Sequence, residues 1–87
     1  MENIKEIMDL ASKGKAVELR TKDEFDNSID WGILRKGIRC FPDEWVLWWN
    51  GVIIKSVKTK KIMKDKLIQL QNDNGHIHID SFWENKV

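Results

Sequence analysis

The dipeptide Asn50-Gly51, with an apolar run on either side, constrains the fold of this chain more than any other feature. Asn-Gly is the preferred pair for a two-residue turn between antiparallel strands, because both positions of that turn need a positive φ. Residues 44–57, EWVLWWNGVIIKSV, are therefore predicted to form a β-hairpin. This segment holds three of the five tryptophans of the chain, so its large rings need either a core or a binding partner.

A two-residue loop also predicts which residues of the hairpin face each other. Trp49 falls opposite Val52 and Trp48 opposite Ile53, and a regular ladder continues this pairing away from the turn. Since side chains alternate between the two faces of a strand, the ladder divides the hairpin into two surfaces. The surface predicted to join the core consists of Trp45, Leu47, Trp49, Val52 and Ile54. The opposite surface consists of Val46, Trp48, Ile53, Lys55 and Val57.

The opposite surface of the hairpin leaves two interpretations open. Trp48 and Ile53 are apolar, but Lys55 is placed beside them. Either another part of the chain covers this surface, or it is an exposed apolar patch of the kind that marks a binding site. In the second case Trp48 is the first candidate for a contact residue, because tryptophan is enriched among the residues that dominate binding energy.

Length and composition favour a small protein that folds as one unit. The 87 residues predict a single domain, 1–87. A net charge of +1 with 33% charged residues excludes both a strongly basic nucleic-acid protein and a charge-driven disordered chain. The lone cysteine, Cys40, fits a reducing compartment, where proteins do not depend on disulfides. We expect no signal peptide and no membrane span, and hence a soluble cytoplasmic protein without a membrane partner.

The charges are unevenly distributed along the chain. Residues 55–66 contain six lysines and one acidic residue, whereas residues 18–30 contain five acidic residues. If the two segments stay apart after folding, the lysines would attract phosphates or a carboxylate-rich surface. If the segments are adjacent, they neutralise each other.

Apolar periodicity predicts the elements of the N-terminal half. Residues 3–13 have the pattern of an amphipathic helix that ends at Gly14, and residues 15–21 that of a strand with one buried face. Residues 29–37 fit either a short helix that Asp30 caps and Gly37 ends, or a broken strand; we favour the helix, followed by a strand over residues 38–41.

The C-terminal part of the chain predicts a second hairpin. Apolar residues alternate with polar ones in residues 66–71 and again in residues 76–79, and the loop between them ends in Gly75. Together the elements predict an α+β fold, with an N-terminal helix packed on an antiparallel sheet of about five strands. A small curled β-barrel with one helix is the alternative.

No motif in the sequence predicts catalysis, a metal site or a cofactor. His76, His78 and Asp80 alternate as zinc ligands on a strand do, but nothing in the spacing brings Cys40, the other soft ligand, near them. Residues 23–30, DEFDNSID, do not begin an EF-hand loop: counted from Asp23, the sixth residue is Ser28 instead of glycine and the twelfth is Leu34 instead of glutamate. As a nucleophile, Cys40 would need a histidine base within reach, which the sequence does not indicate. We therefore expect neither an enzyme nor a metal- or cofactor-binding protein.

These observations lead to the hypothesis of a non-enzymatic small protein that binds another protein stoichiometrically through the hairpin and its lysine flank. Small size and the absence of catalytic groups also suit an inhibitor-type protein of a phage or mobile element. The residues predicted to make the contact are Trp48, Ile53, Lys55, Lys58, Lys60, Lys61 and Lys64. Two alternatives stay open: a nucleic-acid or nucleotide binding module on the same surface, and a small subunit of a homo-oligomer.

Overall fold

The computed structural model describes residues 2–86, with only the backbone of Glu2. Its N-terminal helix forms where the apolar periodicity predicts it. In chain order the elements are α1 (Glu2–Ser12), β1 (Lys15–Lys22), β2 (Ser28–Lys36), β3 (Trp45–Trp49), β4 (Val52–Val57), α2 (Lys60–Asn74) and β5 (Ile77–Glu84). Ile4, Ile7, Met8 and Ala11 make up the buried face of α1, and Gly14, at a φ of +91°, follows its end.

Within the described residues, the five strands form one open antiparallel sheet in the order β4-β3-β2-β1-β5. Four consecutive strands make a meander, and β5 pairs with the outer side of β1. This order makes β4 and β5 edge strands that run in the same direction, so α2 connects one edge of the sheet to the other. The predicted α+β fold with an N-terminal helix on an antiparallel sheet is confirmed, and the open sheet replaces the alternative of a curled barrel.

The hydrophobic core lies between one face of the sheet and the two helices of the described chain. Alternate residues of the central strands point into it, as a pleated strand with one buried face requires. The core contains Val17 and Leu19 of β1, Leu34 of β2, Trp45, Leu47 and Trp49 of β3, and Met63, Leu67 and Leu70 of α2, together with the buried face of α1 and Ile77. The opposite face of the sheet is not covered by a helix in residues 2–86, and we call it the open face.

The tryptophan hairpin is confirmed, but its register shifts. Asn50 and Gly51 adopt positive φ values of 51° and 90°, and the pairs Trp49–Val52 and Trp48–Ile53 form as predicted. Beyond them a β-bulge leaves Ile54 without a partner. The predicted pairs farther from the turn are therefore wrong: Leu47 faces Lys55, Val46 faces Ser56, and Trp45 faces Val57.

Because of the bulge, the residues of β4 after Ile54 point to the opposite sides of the sheet from those predicted. Val57, predicted to lie away from the core, packs against it, while Ser56 moves to the open face opposite Val46. Val52, predicted for the core, is 60% exposed at the edge of the sheet. The sequence carries no signal for this bulge, because the Asn-Gly turn is equally compatible with a regular ladder.

The favoured prediction of a short helix over residues 29–37 is wrong: the alternative of a strand is closer, because residues 28–36 form β2 at the centre of the sheet. Gly32 and Leu34 are buried on its helix-facing side, and Trp31 and Ile33 lie on the open face. The predicted strand at residues 38–41 is wrong as well. There Ile38 and Phe41 exchange backbone hydrogen bonds of 3.1 and 3.2 Å, which close a turn within the connection to β3.

The predicted second hairpin is wrong because its first half is helical. Residues 60–74 form α2, whose buried residues Met63, Leu67 and Leu70 recur at helical spacing. Gly75, at a φ of +95°, terminates this helix instead of closing a turn between strands. The second half does form a strand, β5, but it pairs with β1.

Candidate binding surface

A row of apolar side chains crosses the open face on three neighbouring strands. Ile33 of β2 lies opposite Trp48 of β3, and Trp48 lies opposite Ile53 of β4. Ile53 is 43% exposed, and Trp48 and Ile33 are half-buried. We call these three residues the Trp48 row. Of the two interpretations that the sequence left open, each fits part of this face: Ile53 is exposed, whereas Val46 on the same face is fully buried.

Two buried polar atoms in this half of the open face lack hydrogen-bond partners. They are the indole Nε1 of Trp48 and the hydroxyl Oγ of Ser56. Ser56 lies on β4, opposite Val46 of β3. A polar group that loses water without gaining a partner costs about 1–3 kcal/mol. In the β3–β4 half of the open face, two polar atoms without hydrogen-bond partners therefore lie near exposed apolar side chains.

In the other half of the open face, the polar side chains around Trp31 form hydrogen bonds and ion pairs with one another. Its indole Nε1 donates to Glu18 Oε2 at 2.6 Å, and the Arg20 guanidinium lies 5.9 Å from the ring centroid. Arg20 Nε is also 3.5 Å from the carboxylate of Asp80, and Ser81 Oγ donates to Glu18 Oε1 at 3.3 Å. These contacts hold Trp31 in one orientation, whereas no hydrogen bond does so for the indole of Trp48.

The network around Trp31 was not predicted from the sequence. Glu18 and Arg20 alternate with buried residues along β1, which indicates one polar face, but the helix predicted for residues 29–37 removed Trp31 from the sheet. The signal that could have found the network is the alternation of Trp31, Ile33 and Arg35, which indicates a strand and is compatible with Trp31 beside Arg20, its partner in the ladder.

The structure separates the predicted contact residues into two groups. Trp48 and Ile53 are neighbours on the open face. Lys58, Lys60, Lys61 and Lys64 are exposed, but they lie on the connection to α2 and on its first turns, in the helix layer. Lys55 is half-buried opposite Leu47, whose side chain belongs to the core. The Trp48 row and the lysines therefore do not form one continuous face.

The lysines and the acidic segment lie at opposite ends of the strands. The acidic turn between β1 and β2, residues 23–27, is on the same end as Asn50, whose side-chain amide donates to Asp30 Oδ1 at 3.0 Å. Val57, just before the lysines, pairs with Trp45, and Trp45 pairs with Lys36 at the other end of β2. None of the ion pairs formed within residues 2–86 joins the two segments. They do not neutralise each other by direct contact.

The acidic turn is organised by Asp23. Its Oδ1 accepts the backbone N–H groups of Phe25 and Asn27, both at 2.9 Å. The hydrogen bond from the Asn27 backbone is the main reason that the pKa of Asp23 lies below its ordinary value. Asp23 therefore stays ionised, and the turn keeps its negative charge.

The two histidines lie next to each other at the start of β5, with ring centroids 4.6 Å apart in an edge-to-face arrangement. Burial lowers the pKa of His78, and the nearby His76 and Lys22 lower this pKa further. Across the described part of the chain, no three His, Cys, Asp or Glu side chains come together as a metal site requires. Cys40 is free and exposed in the connection between β2 and β3.

Neither helix of the described chain has the length and apolar character needed to cross a membrane. Comparison of the chain with protein-family models, with curated proteins and with solved structures found no match.

Proposed function

We propose that this chain is a non-enzymatic binding protein that contacts another protein stoichiometrically, with the Trp48 row at the centre of the contact. An inhibitor-type protein of a phage or mobile element is one form that such a binder takes. We also propose a cytoplasmic location, which the free and exposed thiol of Cys40 supports because reducing compartments preserve such thiols.

The observation that carries the proposal is the pair of unpartnered polar atoms beside the Trp48 row. Both atoms are buried in the free protein, so a partner reaches them only after the two side chains turn outward. A carbonyl or carboxylate oxygen would then accept from the Trp48 N–H, and a second polar group would pair with Ser56 Oγ. The free protein bears the cost of leaving these atoms unpaired, so binding would recover about 1–3 kcal/mol for each.

The surroundings of the row support the same proposal. Tryptophan anchors at the centre of an interface dominate binding energy when a ring of less important contacts excludes water from them. Trp48 lies on β3 between Ile33 of β2 and Ile53 of β4, and β2 is itself held between β1 and β3. A rigid support of this kind limits the entropy lost on association.

The test compares variants for the capture of a protein partner after nuclease treatment. We expect Trp48→Ala to weaken capture by about 30-fold or more, the effect of removing an anchor worth about 2 kcal/mol. Ser56→Ala should also weaken capture while leaving the free energy of unfolding unchanged or raised, because it removes an unsatisfied hydroxyl. Phe25→Ala is the matched control, since Phe25 is 75% exposed on the acidic turn, away from the row.

Folding is measured in parallel by chemical denaturation. Trp49→Ala should lower the free energy of unfolding by about 3–5 kcal/mol because Trp49 lies in the core, and Trp48→Ala should lower it by much less. Equal losses in the two variants would contradict the proposal. So would a partner that the wild type and the Trp48→Ala and Ser56→Ala variants retain equally.

A second candidate function, binding of nucleic acid or a nucleotide, is favoured by the N-terminal end of α2. The first turn of this helix has no acidic residue, and the side chain of Thr59 makes no capping hydrogen bond. The N-terminus of a helix carries partial positive charge, so Lys60 and Lys61 are placed where they repel it and attract a phosphate.

This candidate predicts a different pattern in the same experiments. Binding of a single-stranded oligonucleotide would fall steeply as salt is raised and would be lost in the double variant Lys60→Ser, Lys64→Ser. It would be unaffected by Trp48→Ala, because Trp48 lies on the other side of the sheet. Weak salt dependence, or dependence on Trp48 alone, would reject nucleic-acid binding at this end.

A further inference from the structure

The outer edge of β5 is the longer of the two exposed strand edges. β5 has eight residues and β4 has six, and within residues 2–86 no strand pairs with the outer side of either. Phe82 and Trp83 on β5 are 52% and 41% exposed. An exposed edge that carries large apolar residues is a template for pairing with another strand.

A bulge at Asp80 divides β5 into two halves that are out of phase. On one side of it, Ile77 and Ile79 lie opposite Thr21 and Leu19 and face the helices. On the other side, the residues that share the helix-facing side of β1 are Phe82 and Glu84. His78, Ser81 and Trp83 lie on the open face, and the carboxylate of Asp80 turns to the same face, where it meets Arg20.

This pattern is symmetric about the centre of the strand. In antiparallel pairing, residues that are directly opposite each other must point to the same side of the sheet. If a second β5 pairs with the first about a two-fold axis between Asp80 and Ser81, every opposed pair meets this condition over all eight residues. The pairs are Ile77–Glu84, His78–Trp83, Ile79–Phe82 and Asp80–Ser81, each formed twice. A shift by one residue opposes helix-side residues to open-face residues along the strand.

The chemistry of the symmetric register is also compatible. It brings Phe82 of one copy against Ile79 of the other, and Trp83 against His78, so the exposed rings gain apolar or aromatic neighbours. It places no like charges directly opposite each other. The nearest equal charges are the two Asp80 carboxylates, and Arg20 lies 3.5 Å from Asp80 within each copy.

We infer that two copies of this chain associate through β5, antiparallel and centred between Asp80 and Ser81, to form one continuous sheet with all helices on the same side. A two-fold axis perpendicular to the sheet closes this assembly and keeps the two faces distinct. The Trp48 row stays free on the open face of each copy, so this dimer and the proposed partner use different surfaces.

β4 is the competing edge, and the structure favours β5 over it. β4 has a central bulge as well, but the residue beside that bulge is Lys55. No ion pair within residues 2–86 includes Lys55, so self-pairing of β4 would bring two uncompensated lysines together. At β5 the corresponding charge has its partner in Arg20.

The first test is sedimentation velocity of the full chain over a range of concentrations. We expect the wild type to double in mass as concentration rises. Phe82→Lys should raise the dissociation constant by about thirtyfold, because the symmetric dimer contains the Phe82–Ile79 contact twice. Phe25→Lys, a change of the same kind on the acidic turn, should leave the dimer intact, and so should Val52→Lys on the edge of β4.

The second test determines the register by cross-linking in a Cys40→Ser background. A mixture of His78→Cys and Trp83→Cys chains should form a disulfide-linked heterodimer under mild oxidation, because these positions are opposed in the dimer. Either variant alone should cross-link at least tenfold less, since two copies of the same position are roughly 17 Å apart along the strands at about 3.4 Å per residue. Circular dichroism of each variant confirms that it folds.

Several results would overturn the inference. They are a wild type that stays monomeric at the highest concentration reached, a dimer that survives Phe82→Lys, and a dimer that Val52→Lys or Trp48→Ala dissociates. Loss on Trp48→Ala would instead assign self-association to the Trp48 row. Equal cross-linking of the single variants and of the mixture would reject the symmetric register.

Discussion

At the scale of single residues, Gly32 shows how one position makes room for a tryptophan in the core. It lies on the helix-facing side of β2, opposite Trp49. A Cβ atom at this position would be 2.5 Å from Cε3 of the Trp49 ring and 2.7 Å from the carbonyl oxygen of Trp48. Glycine is thus required here by the close approach of the neighbouring strand and its ring, and no side chain fits without movement.

Gly32→Ala is therefore expected to lower the free energy of unfolding by about 1–3 kcal/mol, the usual cost of overpacking a core. Chemical denaturation measures this cost. Phenylalanine at position 49 lacks part of the ring that an added methyl group would meet, so the double variant Gly32→Ala, Trp49→Phe should lose less stability than the sum of the two single variants. Ser28→Ala, at an exposed position of the same strand, is the control. Strict additivity in the double variant would contradict a steric role for the ring.

At the scale of elements, α2 is a helix in a segment whose sequence pattern predicts a strand. The segment KLIQLQ alternates apolar and polar residues over a short distance, which is also compatible with one turn and a half of helix. The two assignments bury different residues. A strand places Ile68 and Leu70 on the core side and Leu67 outside, whereas α2 buries Leu67 completely and leaves Ile68 half-buried.

Leu67→Ala distinguishes the two assignments directly. In the helix it removes a core side chain and should lower the free energy of unfolding by about 2–5 kcal/mol. Gln69→Ala, at an exposed position in both assignments, should change stability by only a few tenths of a kcal/mol. Thermal or chemical denaturation monitored by circular dichroism makes the comparison. If Leu67→Ala is as mild as Gln69→Ala, residue 67 is not in the core.

The elements that the sequence did predict share one property: a local pattern that tertiary contacts do not override. α1 has apolar residues at helical spacing and a terminating glycine, β1 alternates from Val17 to Thr21, and Asn50-Gly51 specifies its turn. The errors lie where the decisive interaction comes from elsewhere. β2 is a strand because β1 and β3 flank it, and the register of β4 depends on a bulge that only the packed hairpin reveals.

The same distinction applies to the candidate binding surface. Alternation within the hairpin placed Trp48 and Ile53 on one face, and the structure keeps them together. Ser56 was assigned to the other face because the predicted ladder was regular. The sequence pattern predicts no helix at Lys60, Lys61 and Lys64, so only the structure places these lysines in the helix layer.

At the scale of the whole molecule, Asn85 joins segments that are far apart in the chain. Its backbone N–H donates to Gly14 at the start of β1, and its side-chain amide donates to the carbonyl oxygens of Lys36 and Gly37 at 3.3 and 3.0 Å. Its Oδ1 accepts from Arg35 Nε at 2.7 Å. One side chain thus ties the end of β5 to the end of β2 across the intervening strand β1.

Asn85→Ala should lower the free energy of unfolding by about 1–3 kcal/mol, because it leaves a guanidinium N–H and two carbonyl oxygens without partners. Asn85→Asp should not restore this loss: a carboxylate keeps the acceptor for Arg35 but meets two carbonyl oxygens without a proton to donate. Asn72→Ala, at an exposed position of α2, is the control and should lose no stability. Unfolding monitored by tryptophan fluorescence measures all three, and wild-type stability in Asn85→Ala would contradict the role of this side chain.

The placement of acidic residues at one end of the strands and lysines at the other has a consequence for how the molecule approaches any charged surface. A net charge of +1 suggests little long-range attraction, yet opposite charges at two ends make an electric dipole. Such a dipole orients the protein in the electric field of a charged surface before contact, so that one end of the strands reaches that surface first. This orientation accelerates the encounter and fades as ions screen it, while the lifetime of the complex is set by the short-range contacts.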